Sequence, residues 1–265
     1  MSSDQSKYAI HAAAREGKGK WTFHTPFRAA NHTSAHIFFA NSTRLVIVTI
    51  VESLLNADPK LSRLKDDDGR LPIHWAASAN NHPIVLMLTQ KKDFDPDVED
   101  ESGWTPLMIA ASVKDGDAIV ELLLSRGADA NQKNNNGQTA LHFVASKNNL
   151  EVARKLLDNK PPASARVKDK RGQYPLHRAA AVGSVAMVNL LLQNRSPLNA
   201  TDNAGYTALH HAVAEGHGAT AVALLKAGAE IDKRDSDGYL ALDLAPDKEV
   251  RKYIEREAEN EGIEL

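Results

Sequence analysis

A short signature returns along this chain at a nearly constant interval, and that repetition limits the possible folds more than any bulk property does. Gly69 precedes Leu71-Pro72-Ile73-His74, Gly103 precedes Thr105-Pro106-Leu107-Met108, and Gly137 precedes Thr139-Ala140-Leu141-His142. Gly172 then precedes Tyr174-Pro175-Leu176-His177, Gly205 precedes Thr207-Ala208-Leu209-His210, and Gly238 precedes Leu240-Ala241-Leu242-Asp243. Successive glycines are 34, 34, 35, 33 and 33 residues apart. Glycine supplies positive φ at the tip of a turn, where a Cβ is strained. Thr, or the residue in its place, starts a helix whose free N–H groups its hydroxyl can cap, and Pro or Ala fits the first helical turn, where no donor is needed.

Downstream, Ala110-Ala111 and Ala179-Ala180-Ala181 keep a first helix thin, while Ile119-Val120-Glu121-Leu122-Leu123-Leu124 gives a second helix a broad apolar stripe. Gly127 and Gly228, followed by Ala-Asp and Ala-Glu, are stop signals for that second helix. Finger, helix, loop and helix at this period resemble the ankyrin repeat. The expected fold is all-α: an ankyrin-repeat solenoid of seven helix-turn-helix repeats joined by β-hairpins or finger loops. No unit buries its own apolar faces, so stability comes from stacking, and the terminal copies act as caps. The expectation is a single domain over residues 1–265, with repeat one at about 8–65, repeats two to seven at about 66–254, and a frayed acidic tail at 255–265. Ala12, Ala76, Ala110 and Ala179 are expected in the core.

A chain of 265 residues with 42% hydrophobic and 25% charged residues can bury a substantial core. The net charge of −2 gives no overall drive toward nucleic acid or an anionic membrane. The absence of cysteine excludes disulfides, thiolate metal sites and cysteine nucleophiles, and fits a reducing compartment, cytoplasmic and nuclear. Met1 to Lys7 has no signal-peptide architecture, and no apolar window is long enough to span a bilayer. A monomer without cofactor, nucleic-acid partner or membrane partner is expected.

The first copy, Tyr8-Ala9-Ile10-His11-Ala12-Ala13, is interrupted. Gly183 lies 5 residues before Val188 in the fifth copy, whereas Gly17 lies 34 before Val51, so about 29 residues are inserted, at about 19–47. With neither helical nor alternating periodicity, the segment reads as a partly disordered loop. It is either a binding loop, with His24, His32 and His36 as metal ligands, or the product of a retained in-frame intron.

Of eleven histidines, His11, His74, His142, His177 and His210 share one slot of the signature. A repeated slot implies a repeated structural job, here hydrogen bonding that ties a helix to the next finger. The adjacent pair His210-His211 points in two directions on a helix and is not a metal site. No phosphate loop, Gly-x-Ser-x-Gly elbow or His-Glu-x-x-His stretch occurs, so no enzyme activity is expected. Trp75, following the slot histidine, and Trp104, beside a finger glycine, read equally as binding anchors or as packing between fingers.

Charge is segregated along the fingers. Asp66-Asp67-Asp68 precedes Arg70, and Asp93, Asp95, Asp97, Glu99, Asp100 and Glu101 crowd the next finger. Arg166-Val167-Lys168-Asp169-Lys170-Arg171 is basic, with Lys114, Lys133 and Lys147 between or near. A partner of opposite polarity would dock in one direction. The candidate partner-binding residues are Asp66, Asp68, Arg70, Trp75, Asp97, Asp100, Glu101, Trp104, Lys114, Lys147, Arg171 and Arg178, with the acids and Arg70 expected to lie exposed.

His74-Trp75-Ala76, Gly103-Trp104-Thr105-Pro106-Leu107 with Ile109-Ala110-Ala111-Ser112, Ala145-Ser146-Lys147-Asn148 and His177-Arg178-Ala179-Ala180-Ala181 resemble the wording of the gankyrin family in successive repeats. The resemblance covers residues 8–17 and about 48–254, leaving the insertion outside. It implies a non-catalytic chaperone for assembly of the 26S proteasome regulatory particle, whose concave face grips the C-terminal domain of one ATPase subunit. By position it implies contacts from Arg70 and Lys147 to acidic partner residues and from the acidic finger 97–101 to basic ones. The stretch His211-Ala212-Val213-Ala214-Glu215 departs from the Leu-x-Cys-x-Glu motif of the mammalian members, so retinoblastoma binding is not implied. A general ankyrin adaptor, or an inhibitor of a kinase or transcription factor, is the alternative.

Overall fold

The computed structural model describes residues 9–15 and 34–265, with side chains from residue 45 onward in the longer segment. The chain divides into two compact units, Met1–Ala128 and Asp129–Leu265.

The first unit contains α1 (Ala9–Arg15), α2 (Ser34–Ala57), a 3-10 turn (Pro59–Arg63), α3 (Pro72–Ser78), α4 (His82–Thr89), α5 (Pro106–Ser112) and α6 (Asp117–Ser125). Each short first helix packs on its own second helix, and within this unit α1 packs on α3 and α3 on α5. Small residues such as Ala76, Ala77 and Ala110 allow that close approach, while Val51, Leu55, Ile84, Val85, Leu88, Ile119, Val120 and Leu123 fill the stack. Their spacing of one, three and four residues is the apolar stripe of a half-buried helix.

The second unit contains α7 (Ala140–Lys147), α8 (Leu150–Asp158), α9 (Pro175–Ala181), α10 (Val185–Gln193), α11 (Ala208–Ala214), α12 (Gly218–Lys226), a 3-10 turn (Ala241–Leu244) and α13 (Lys248–Asn260). The all-α class and the repeated helix pairs are those expected from the signature. The hydroxyls of Thr105 and Thr207 cap their helices by accepting from the N–H groups of Met108 and His210. The finger glycines take positive φ, from +69° at Gly69 to +88° at Gly238. The fingers are not β-hairpins: among the described residues there is one isolated bridge, Arg234 with Leu240, and no strand.

Four further expectations are corrected. The segment at 19–47 is not a loop throughout, because α2 already begins at Ser34. Ile47, Val51 and Leu55, four residues apart, form one buried face, and the exposed Leu45, Val46 and Ile50 beside them hid that period. Residues 16–33, with His24 and His32, lie outside the described residues, as does the His36 side chain. Ala12 is exposed and Ala13 is buried, because Ala13, two places after the slot histidine, corresponds to Ala76. The acidic tail is helical to Asn260 rather than frayed, since Ile254 and Ala258 bury one face of α13 and Lys226 bonds Glu261 at 2.8 Å. The seventh repeat opens with a 3-10 turn in place of an α-helix.

Candidate partner-binding surface

An Asp or Asn stands three residues before each finger glycine: Asp66, Asp100, Asn134, Asp169, Asp202 and Asp235. Its Oδ1 accepts the N–H groups two and four residues on, as Asp100 does from Ser102 and Trp104 at 2.9 Å each, and Asp202 from Ala204 and Tyr206 at 2.9 and 3.0 Å. A short polar side chain thereby closes the turn that the glycine allows.

The second carboxylate oxygen reaches the first helix. Nine residues on, Trp75 Nε1 donates to Asp66 Oδ2 at 2.7 Å, Arg178 Nη2 to Asp169 Oδ2 at 2.9 Å, and His211 Nε2 lies 2.9 Å from Asp202 Oδ2. Ile109 stands nine residues after Asp100 and cannot donate, so Arg70 supplies its Nε from the preceding finger at 3.0 Å. In the second unit Gln173, placed like Arg70 after its glycine, donates to Asp202 at 3.0 Å. Burial opposes the charge of Asp66 and of Asp202, but these hydrogen bonds and those from the backbone outweigh it and hold both carboxyls below the usual range.

Several contact candidates are therefore engaged inside the protein. Asp100 is 7% exposed and paired with Arg70, which corrects the expectation that these two are solvated contact charges. Asp66 and Arg178 likewise serve the finger turns, and each keeps part of its surface open. In the first unit the guanidinium groups of Arg70 and Arg15 lie 4.9 and 5.4 Å from the ring centre of Trp75. Trp75 is thus a half-buried indole presented beside two cations, and Trp104 is half-buried as well. Of the other candidates in this unit Asp68, Glu101 and Lys114 are exposed, and Asp97 is half-exposed. In the second unit Lys147 and Arg171 are exposed, and Arg178, Gln173, Tyr174, Tyr206 and His211 are half-buried. His211 meets the rings of His177 and Tyr206 edge-on at 5.5 and 5.4 Å. Sequence reasoning missed Gln173, Tyr206 and His211; the acid three places before glycine and the donor nine places after it were the signal.

The slot histidines do the structural work expected. Nδ1 of His74, His142, His177 and His210 accepts the N–H of the residue that starts its helix. Nε2 of His74, His142 and His177 then faces a carbonyl of the next finger, at 3.1 Å from Val98, Gln173 and Ala200, whereas Nε2 of His210 is buried without a hydrogen-bond partner among the described residues. An accepting Nδ1 requires the neutral imidazole with its proton on Nε2. Burial, which disfavours the charged ring, pushes His142 and His177 down to about 4 and also lowers His74 and His210. Among the described residues, no group of three or more His, Asp or Glu is placed to hold a metal ion, and no helix is long and apolar enough to cross a membrane.

In each unit, repeats that stack their helices and present half-buried aromatic and cationic side chains make a protein-binding module. A family model described as ankyrin repeats (3 copies) matches residues 43–134, 112–196 and 160–235, more than half of the chain. The chain belongs to the ankyrin-repeat family, whose repeats mediate protein–protein binding. No curated protein matches it.

Proposed function

We propose that this protein is an assembly chaperone for the base of the 26S proteasome regulatory particle, acting in cytoplasm and nucleus by holding the C-terminal domain of one ATPase subunit. The observation that carries this reading is where the gankyrin-like words fall: they place Trp75, Trp104, Lys147 and Arg178 on partly or fully exposed positions of consecutive repeats. Tryptophan and arginine presented from half-buried sites are the side chains most often found to dominate protein interfaces. Lys147 makes no ion pair among the described residues, which suits a contact to an acidic partner residue. The acidic positions Asp97 and Glu101 suit basic partner residues, whereas Asp100 and Arg70 contribute by fixing the finger that carries them.

The test is a pull-down of the full chain against the isolated C-terminal domain of each proteasomal ATPase from the same organism, at low and moderate salt. Salt-sensitive capture of one domain is expected, weakened at least about fivefold by Lys147→Glu with less than about 0.5 kcal/mol change in stability, since an exposed unpaired charge adds little to the fold. Capture of no domain assigns the protein to the wider class of ankyrin adaptors and inhibitors.

A further inference from the structure

The first unit contains a recess of about 700 Å³ that shares no wall with the Trp75 cluster. Its floor is Leu71, Ile73, Leu88, Phe94 and Val98, and its mouth carries Lys60, Arg63, Lys65, Lys91 and Lys92. The recess exists for a local reason. After α6, α10 and α12 the chain reverses through Gly127, Arg195 or Gly228 at positive φ, and the next residue, Ala128, Ser196 or Ala229, bonds back to a helix carbonyl at 3.0–3.1 Å. That reversal folds a small residue back against the helix end. After α2 the chain enters the 3-10 turn, and after α4 it continues through Lys91-Lys92-Asp93-Phe94 with no positive φ, so neither helix end is closed in this way.

Three carboxylates also line the recess, one of them in an ion pair and two accepting backbone N–H groups. Asp58 accepts the Lys60 N–H at 3.0 Å, Asp93 pairs with Arg63 at 3.1 Å, and Asp95 accepts the Asp97 N–H at 3.0 Å. Lys60, Lys65, Lys91 and Lys92 have no carboxylate within ion-pairing distance among the described residues. Five cations against three carboxylates leave a net of two positive charges above the apolar floor, which is complementary to an apolar side chain flanked by acids.

We propose that this recess is a second docking site, which takes an acidic peptide segment of a partner protein with one large apolar side chain as anchor. The anchor displaces water from Leu71, Leu88 and Phe94, and the flanking carboxylates pair with Lys65 and Lys92. The site is independent of the ATPase reading, because none of its residues belongs to the surface described above.

The probe is a fluorescein-labelled hexapeptide Glu-Asp-Phe-Leu-Glu-Asp, titrated with the full-length protein by fluorescence anisotropy. The expected result is saturable binding with Kd below about 1 mM, weakened at least about tenfold by exchanging Phe-Leu for Ala-Ala and by the double substitution Lys65→Glu with Lys92→Glu. Ser62→Trp, which fills the recess from its wall, should weaken it similarly while circular dichroism stays unchanged. Binding that is absent, or indifferent to both protein variants, overturns the proposal. Capture of dodecanoate with the same lysine dependence, but not of the peptide, overturns the assignment to a protein partner.

Discussion

The fingers that end at Gly205 and at Gly238 carry the same signature, yet they are held very differently. Both close the turn through an acid, Asp202 or Asp235, whose Oδ1 takes two backbone N–H groups. Around Gly205 the neighbours complete the structure: Gln173 and His211 reach Asp202 Oδ2, and Ser236 N–H donates to the Ala204 carbonyl at 3.0 Å. Around Gly238 a 3-10 turn and α13 come next, Asp235 Oδ2 is buried without a partner among the described residues, and Leu244 stands where Trp75, Arg178 and His211 supply a donor. The turn is a local property of the signature, and its rigidity is a property of the stack.

The largest expected effect breaks this comparison directly. A Cβ on Gly205 would lie 2.8–3.0 Å from the backbone of Asp235 and Ser236, whereas one on Gly238 meets nothing within 4 Å, although both residues have positive φ. Gly205→Ala should cost about 3 kcal/mol or more and Gly238→Ala about 1 kcal/mol, read from urea unfolding midpoints. Equal losses would mean that positive φ alone, not stacking, sets the penalty.

Acid should separate the same repeats. His142 and His177 fall to about 4 when folded, from an unfolded value of 6.5, so the unfolded chain binds more protons between those values. Their contribution is whole above about pH 6.5 and lost as pH falls toward 4, by up to about 3 kcal/mol per histidine. The seventh repeat has Asp243 in this slot. Hydrogen exchange should show protection at the fingers facing His142 and His177 falling between pH 7 and 5 ahead of the Asp243 turn, and simultaneous loss would deny the histidines this role.

The smallest effect tests the second carboxylate oxygen. Asp235→Asn should be neutral or slightly stabilising, because it removes a charge whose Oδ2 has no partner and keeps the turn, as Asn134 does in its own finger. Asp202→Asn should cost about 1–2 kcal/mol, since its amide would face the donors on Gln173 and His211. Calorimetric melting of the two variants distinguishes them.

The legibility of the sequence varied with the range of the interactions. Gly137 and Thr207 could be read alone, because a positive φ or a helix cap involves only adjacent backbone. The slot histidines could be read by recurrence. Asp100 could not, since a run of acids looks like a solvated finger until Arg70 is seen 3.0 Å from the one buried among them. Helix α2 was hidden because only one face of its residues 45–57 is buried, and the end of α13 because its docking residues, Ile254 and Ala258, are sparse among charges.

The sequence by itself determined the repeat, its turns, caps and stops, and with them the ankyrin class, because each depends on contacts within a few residues. Only the tertiary structure decided which charges are partners of the fold and which are open to a partner protein. Asp100 and Arg70 are paired with each other across 30 places, whereas Lys147 has no ion pair among the described residues. Composition is blind to that distinction, because pairing is fixed when one repeat packs against the next.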